Sequence, residues 1–174
     1  PDDLPWPAWE HFDLEPFFKT GEGHGVERGR SMPILATRGC PYQCTFCSSP
    51  SMWTTRYVMR KPALVVDEIE HYINEYGAEN IDFMDLTAIC RKSWVMEFCE
   101  ELRNRSLSIT WQLPSGTRTE ALDEECVAAM ASTGCMNVTL APESGSPLSR
   151  RGVISSRQEW SAPSQVVSSR RERP

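Results

Sequence analysis

The apolar positions of the chain fall into two regimes. Before residue 31 they are scattered among prolines and glycines, from "PDDLPWPAWEHFDLEPFF" to "GEGHG". That spacing predicts an approach segment and not a core element. From residue 32 the pattern becomes regular. "MPILAT" is a short apolar run of the kind that makes a buried strand. In "KPALVVDEIEHYINEYG", Val65, Ile69, Tyr72, Ile73 and Tyr76 recur at helical spacing. Pro62 suits the first turn of that helix and Gly77 a left-handed stop. "NIDFMD" predicts a second strand. "KSWVMEFCEELRNR" predicts a second helix, with Ser93 as its cap and Trp94, Val95, Phe98 and Leu102 facing inward. "LSITWQLP" then reads as a third strand, "LDEECVAAMASTG" as a third helix between Asp123 and Gly134, and "MNVTLAP" as a fourth strand. After about Leu148 the periodicity stops. Residues 149–174 are dominated by serine and arginine, a composition that predicts a disordered tail.

Strands alternating with helices of this length imply βαβ units and an α/β fold with a parallel sheet. In such sheets the chemistry gathers at the carboxyl ends of the strands. The polar positions to watch are therefore the cysteines after the first strand, Asp85, Arg118 in "PSGTR", and Glu143 with Ser144. Arg60 follows the cysteine loop and has an equal claim to a packing role.

Composition narrows the function classes. The chain of 174 residues suits one domain, and 40% hydrophobic with 24% charged residues is ordinary for a globular protein. A formal net charge of −6 provides no general field for a phosphate backbone, so nucleic acid is not favoured as a partner. No apolar run reaches the roughly 18 to 20 residues that a bilayer span requires. The acidic, proline-rich start does not follow a signal-peptide pattern. An odd number of cysteines, seven, argues against a disulfide framework and for a reduced, cytoplasmic setting. Cys90, Cys99, Cys126 and Cys135 are scattered and read as small apolar residues. His11, His24 and His71 are isolated and read as surface or helix residues.

The remaining cysteines are not scattered. Cys40, Cys44 and Cys47 fall within "RGCPYQCTFCSSP". A structural zinc site wants four ligands, and the chain offers no second CxxC pair and no nearby histidine pair. A redox CxxC made of Cys44 and Cys47 is conceivable but leaves Cys40 unexplained. Three thiols at spacings of x3 and x2 suit a 4Fe-4S cluster with three irons held and the fourth open.

"CPYQCTFC" resembles the Cys-x3-Cys-x-aromatic-Cys signature of the radical S-adenosylmethionine superfamily, with Phe46 as the aromatic residue. The resemblance runs from residue 31 to about 148, through "VVDEIEHYINEYG", "IDFMDLTA", "ITWQLPSGTR", "AAMASTGC" and "APESGSP". It is strongest to the subgroup whose members carry an N-terminal cobalamin-binding domain, and "DDLPWPAW" is similar to the linker of that subgroup. The resemblance implies a partial (β/α) barrel with about four βα units at 31–148, preceded at 1–30 by a linker from a cobalamin-binding domain outside the chain. It also implies a fragment, since the family's later strands have no counterpart and the tail begins where the next helix is expected.

For chemistry, the resemblance implies that Cys40, Cys44 and Cys47 ligate a 4Fe-4S cluster whose open iron takes S-adenosylmethionine. Reductive cleavage of that cofactor would yield the 5'-deoxyadenosyl radical. Phe46 would shield the cluster or lie near adenine. Asp85 would meet the methionine ammonium, although Leu86 stands where the family often has a second acid. Glu143 and Ser144 would lie near the ribose and methionine parts of the cofactor. Arg118 would meet the cofactor carboxylate or a substrate acid, and Gln112 would face the barrel lumen as a cofactor-binding residue. The implied partners are a small-molecule substrate and an electron donor such as flavodoxin or ferredoxin, with cobalamin held by the absent domain. The implied activity is that of a cobalamin-dependent methyltransferase or cyclase. The alternatives are a cobalamin-independent radical enzyme of methylthiotransferase type, or a non-catalytic iron–sulfur or zinc module.

Overall fold

A computed structural model of the chain describes residues 1–21, 23–117 and 121–141. Arg118, Glu143, Ser144 and the tail at 149–174 lie outside the described residues. The apolar run after residue 30 forms strand β1 (Ser31–Ile34), then turns into a two-residue strand β2 (Thr37–Arg38). The cysteine loop and a short helix α2 (Ser49–Trp53) follow, and β3 (Val58–Met59) returns antiparallel to β2. The regular part continues as α3 (Pro62–Tyr76), β4 (Asn80–Phe83), α4 (Lys92–Asn104), β5 (Thr110–Thr117), α5 (Glu124–Ser132) and β6 (Cys135–Leu140). Strands β1, β4, β5 and β6 form one sheet in that order, and every neighbouring pair in it is parallel. The expected parallel α/β architecture, with its strands and helices in alternation, is therefore present.

Several element ends differ from the sequence expectations, and two of the differences have a visible cause. Helix α4 starts at Lys92, so Ser93 lies inside its first turn, and Arg91 takes the cap position without a side-chain bond. Strand β5 runs three residues further than its apolar pattern suggests. Its pairing with β6 shifts register between Leu113 and Thr117, across Pro114. A proline has no N–H for the ladder, so an irregularity at that point lets the strand continue beyond it. Gly77 ends α3 as expected, with φ 63°, and its N–H is accepted by the Ile73 carbonyl at 3.1 Å.

The core follows from the two periodicities. Ile81 and Phe83 of β4, with Trp111 and Leu113 of β5, point to one face, where the apolar stripes of α3, α4 and α5 cover them. Phe98 of α4 is the centre. Its ring lies 5.4 Å from Trp94 in a stacked arrangement, and 5.6 Å and 5.3 Å from Phe83 and Trp111 at right angles.

The opposite face of the same strands is polar yet buried. Asn80 and Asp82 alternate with Ile81 and Phe83, and the parallel register sets Asn80 beside Thr110 and Asp82 beside Gln112. The Asn80 amide donates to Ser31 Oγ at 3.0 Å and to Asp82 Oδ1 at 2.8 Å, and the Thr110 hydroxyl donates to Asn80 Oδ1 at 3.0 Å. Gln112 completes the row by donating to Asp82 Oδ1 at 2.6 Å. The glycine-rich segment then lies over it. Gln112 Oε1 accepts from the Val26 N–H at 3.1 Å, and its amide nitrogen donates to the Val26 carbonyl at 2.9 Å.

Residues 1–30 are thus tied down, contrary to the expectation of a segment without core contacts. A 3-10 turn at Trp9–His11 and helix α1 (Glu15–Thr20) bring Trp9, Leu14 and Phe18 against the edge of the core. The Trp9 indole donates to the Tyr72 hydroxyl at 3.0 Å, and Arg30 stands 4.0 Å over the Phe18 ring. Among the described residues, no helix is long and apolar enough to cross a membrane.

Phe98 offers the simplest test of this packing. Phe98→Ala should remove about 3–5 kcal/mol of stability, because it deletes the ring that three other aromatic residues share. Phe98→Leu should cost clearly less. Urea denaturation followed by tryptophan fluorescence measures both.

Candidate functional site

The cysteine loop leaves the sheet at the carboxyl end of β1 and is closed at its neck by the β2–β3 pair, Thr37 against Met59 and Arg38 against Val58. Pro41 at the start of the loop, Pro50 in the first turn of α2 and the turn from Cys44 to Cys47 shape what lies between. The Cys47 N–H donates to the Cys44 carbonyl at 3.1 Å, and the Ser49 N–H reaches Cys47 Sγ at 3.4 Å. Cys47 is exposed, while Cys40 and Cys44 are half-buried. Gly39 enters the loop with φ 88°, and a Cβ there would collide with the Arg56 carbonyl oxygen. Only glycine lets the two sides of the neck approach this closely.

Asp85 fixes the neck. It follows β4 and is 1% exposed. One carboxylate oxygen accepts from the Ala36 N–H at 3.2 Å. The other accepts from the Thr37 N–H and the Thr37 hydroxyl, each at 2.5 Å. Burial raises the pKa of this carboxyl above the ordinary aspartate value, against the opposing pull of Thr37 and the Ala36 amide. The Thr37 hydroxyl also lies 3.3 Å from the Thr87 carbonyl. On the far side of the neck, the Tyr57 hydroxyl is 3.2 Å from the carbonyls of both Thr87 and Ala88. Burial pushes the Tyr57 phenol far up, so it stays a donor. The segment 85–88 therefore clamps both strands of the neck.

A second network supports the neck from α3. Arg60 donates to the Leu35 carbonyl at 2.9 Å and pairs with Glu68 at 2.5 Å, and its own N–H meets the Ala36 carbonyl at 2.8 Å. Glu68 is 2% exposed and also accepts from the Tyr72 hydroxyl. The chain Trp9–Tyr72–Glu68–Arg60 so links the N-terminal segment to the residues just before the cysteines. A cavity of about 360 Å³ lies beside it, between Trp6, Trp9 and Leu35.

The expected site residues separate into groups. Cys40, Cys44, Cys47 and Phe46 share the loop, and Phe46 is exposed, so it does not serve as core packing. Asp85 sits beneath the loop with its oxygens turned to the neck. Gln112 lies on the polar face, held by Asp82 and Val26. Arg60 has the packing role. Sequence reasoning passed over Thr37, Tyr57, Thr87, Asn80 and Asp82. The last two carried a signal, since polar residues two apart within "NIDF" alternate with two apolar ones.

The three loop thiols are soft donors on one loop at the carboxyl edge of a parallel sheet, which is the donor set that an iron–sulfur cluster requires. Among the described residues, no group of three or more His, Cys, Asp or Glu side chains stands as a ready metal cage. The loop carries the three thiols, and its neck is fixed by β2 and β3.

Comparison with known proteins bears on the same residues. The family model of the Radical SAM superfamily matches residues 34–161. The chain is 30% identical over 146 residues to a cytidylyl-2-hydroxyethylphosphonate methyltransferase of Streptomyces wedmorensis, covering 83% of this chain and 27% of that protein. It is 32% identical over 142 residues to an anaerobic magnesium-protoporphyrin IX monomethyl ester cyclase of Cereibacter sphaeroides, covering 80% and 21%. Its fold is similar to that of the cobalamin-dependent S-adenosylmethionine radical enzyme OxsB, with a TM-score of 0.59 and 18% identity over 71% of this chain and 20% of that one. The chain therefore spans about a quarter of the length of the curated relatives it matches.

The clamp at Asp85 can be tested without any cofactor. Asp85→Asn keeps the size of the side chain but sets an amide against backbone donors. It should lower stability by about 1–3 kcal/mol, the effect of a buried donor left without its acceptor. Thr37→Val should show a smaller loss in the same direction. Guanidinium denaturation of the two variants beside the parent measures both.

Proposed function

The chain belongs to the radical SAM superfamily, and on that premise we propose that it is the cofactor-binding core of a radical S-adenosylmethionine enzyme. The observation that supports this most is the loop itself: three thiols on an excursion whose neck is clamped at the carboxyl end of a parallel sheet. In this reading Cys40, Cys44 and Cys47 would hold a 4Fe-4S cluster with one iron left for S-adenosylmethionine. Such a cluster would supply the electron for reductive cleavage of that cofactor.

The chain's own residues position and shield. Asp85 sets the direction in which the loop leaves β1, through the Ala36 and Thr37 amides. The Ser49 N–H bonds to Cys47 Sγ, a contact of the kind that tunes a cluster's potential. Phe46 presents an exposed ring between two of the ligands and is available to cover the cluster or the adenine. Glu143, Ser144 and Arg118 carry the remaining cofactor contacts, as the resemblance of their motifs implies. We assign Gln112 to the sheet's polar face and not to the cofactor, because its amide oxygen and nitrogen are both engaged.

The finer reading is a cobalamin-dependent methyltransferase or cyclase, with cobalamin held by an N-terminal domain to which residues 1–30 are the linker. Two lines support it: the relatives named above include a methyltransferase and a cyclase, and the matched fold comes from an enzyme described as cobalamin-dependent. The substrate is a small molecule.

Anaerobic reconstitution with iron and sulfide should yield about four irons per chain and the broad absorption of a 4Fe-4S cluster. Dithionite should then drive formation of 5'-deoxyadenosine from S-adenosylmethionine. Alanine at Cys40, Cys44 or Cys47 should abolish cleavage, whereas Cys99→Ala should leave it intact. Tight zinc with no cleavage would overturn the assignment.

A further inference from the structure

The backbone between β1 and the cysteine loop is held from two sides. On one side Asp85 accepts from the Ala36 and Thr37 amides. On the other, the Arg60 guanidinium donates to the Leu35 carbonyl at 2.9 Å, and the Arg60 main-chain N–H donates to the Ala36 carbonyl at 2.8 Å. Asp85 has a short side chain and follows closely on β4, so the sheet sets its place. Arg60 differs. A long side chain of this kind has many rotamers to lose, and something must keep it aimed. Glu68 of α3 does so at 2.5 Å, helped by a longer bond from Arg60 to the Leu64 carbonyl at 3.3 Å.

Glu68 is itself 2% exposed, and a buried carboxylate needs donors in place of water. Besides Arg60 it accepts from the Tyr72 hydroxyl. Burial, and Glu68 alongside, raise the Tyr72 phenol far above its ordinary value, so it stays protonated and donates. An indole N–H can only donate. Trp9 therefore gives its hydrogen to the Tyr72 oxygen at 3.0 Å, which leaves the Tyr72 hydrogen for Glu68. Packing does not fix these groups on every side. Trp9, Arg60 and Glu68 all line the cavity of about 360 Å³, and a void supplies no contacts to the side chains that border it. Their hydrogen bonds hold them there instead.

We propose that Glu68 is a positioning residue for the cysteine loop, and that through it the docking of Trp9 and the ordering of the loop's exit are coupled. Without the Trp9 bond, the Tyr72 hydroxyl is freer to turn from Glu68, and Arg60 from Leu35. The coupling is reciprocal: what holds the N-terminal segment in place favours the exit, and what orders the loop tightens Trp9. This second half rests on the cluster reading given above, since the cluster is the group that orders the loop.

Hydrogen exchange read by NMR in the full chain, free of cofactor, tests the coupling. Trp9→Phe keeps a ring but loses the N–H. Exchange at the Ala36, Thr37 and Arg60 amides should quicken about threefold to tenfold, the worth of one hydrogen bond, although the lost bond is to Tyr72. Amides inside α4, such as that of Phe98, should not change. An equal rise in both sets means general loss of stability and overturns the proposal, as does no rise at the neck. Glu68→Gln should quicken the same neck amides at least about tenfold, as expected for bonds to a charged group. Trp9→Phe/Glu68→Gln should exchange no faster there than Glu68→Gln, because the two residues act along one path; the product of two separate effects overturns it. If Glu68→Gln does not fold, Trp9→Phe alone decides. After anaerobic reconstitution with iron and sulfide, the Trp9 indole N–H of the parent should exchange more slowly. An assembled cluster with no slowing overturns the reciprocal half. Failure to assemble a cluster is failure of the cluster reading, and the cofactor-free comparison still decides the coupling.

Discussion

The arrangement of this site depends on one buried carboxylate. Asp85 leaves β4 and takes three hydrogen bonds from two consecutive residues of the neighbouring excursion, Ala36 and Thr37. Those donors would otherwise be orphaned where β1 stops and the cysteine loop has not yet begun. The parallel ladder between β1 and β4 does not reach them, because it ends at Ile34 and Phe83. A buried carboxylate is tolerated only when donors replace the water it has lost, and here the chain's change of direction provides them. The need of the backbone and the need of the side chain answer each other. The exit of the loop is fixed as a result, and everything beyond Gly39 hangs from that exit.

The same logic explains why residues 1–30 are docked. On the face of the sheet away from the helices, Asn80, Asp82 and Gln112 form a buried polar row, with the half-buried Thr110 bonded to Asn80. Such a row is stable only if its outer members find partners. The Val26 backbone supplies both an N–H and a carbonyl to Gln112, and Gly25 allows the approach, since a Cβ at that position would overlap the Gln112 amide. The glycines of "GEGHG" therefore reflect close packing and not only mobility. At the other end of the segment, Trp9 enters the Tyr72–Glu68–Arg60 chain, so the segment is fastened at two points to elements that also support the loop.

The fold was legible because its signals are local. Helical spacing in 62–76 and in 92–104, and apolar strands between them, required no knowledge of distant contacts. The end of β5 was not legible, because the continuation past Pro114 depends on how β6 shifts its register. The site was legible in its cysteines, whose spacing is a local pattern. It was not legible in its clamp. Asp85 was visible as a carboxylate at a strand end, which also suits a cofactor contact. Only the folded chain shows its oxygens turned to Ala36 and Thr37. Thr37, Tyr57 and Thr87 meet across separations that no periodicity records. Gln112 was expected to face a barrel lumen; it lies on the buried polar face of the sheet, and its partner is a glycine-rich segment some eighty residues earlier.

Six of the seven cysteines make the last physical distinction. Cys99 and Cys126 are buried under α4 and α5, and Cys135 lies beside them at the start of β6. Burial pushes the Cys126 thiol up to about 11 and the Cys135 thiol up to about 12. Metal binding and nucleophilic chemistry both require the thiolate, so these sulfurs are held in the inert form by their own environment. The Thr133 hydroxyl beside Cys99 and the Met130 thioether beside Cys126 are contacts of packing. Cys47, by contrast, is exposed and receives a backbone N–H, and Cys40 and Cys44 are only half-buried on the same loop. One chain thus keeps part of its sulfur as core and offers another part at a strand end. What separates the two groups is not the residue but the desolvation around it. A ligand that needs three thiolates would find them within one loop, at the end of the sheet where the strands deliver their chemistry.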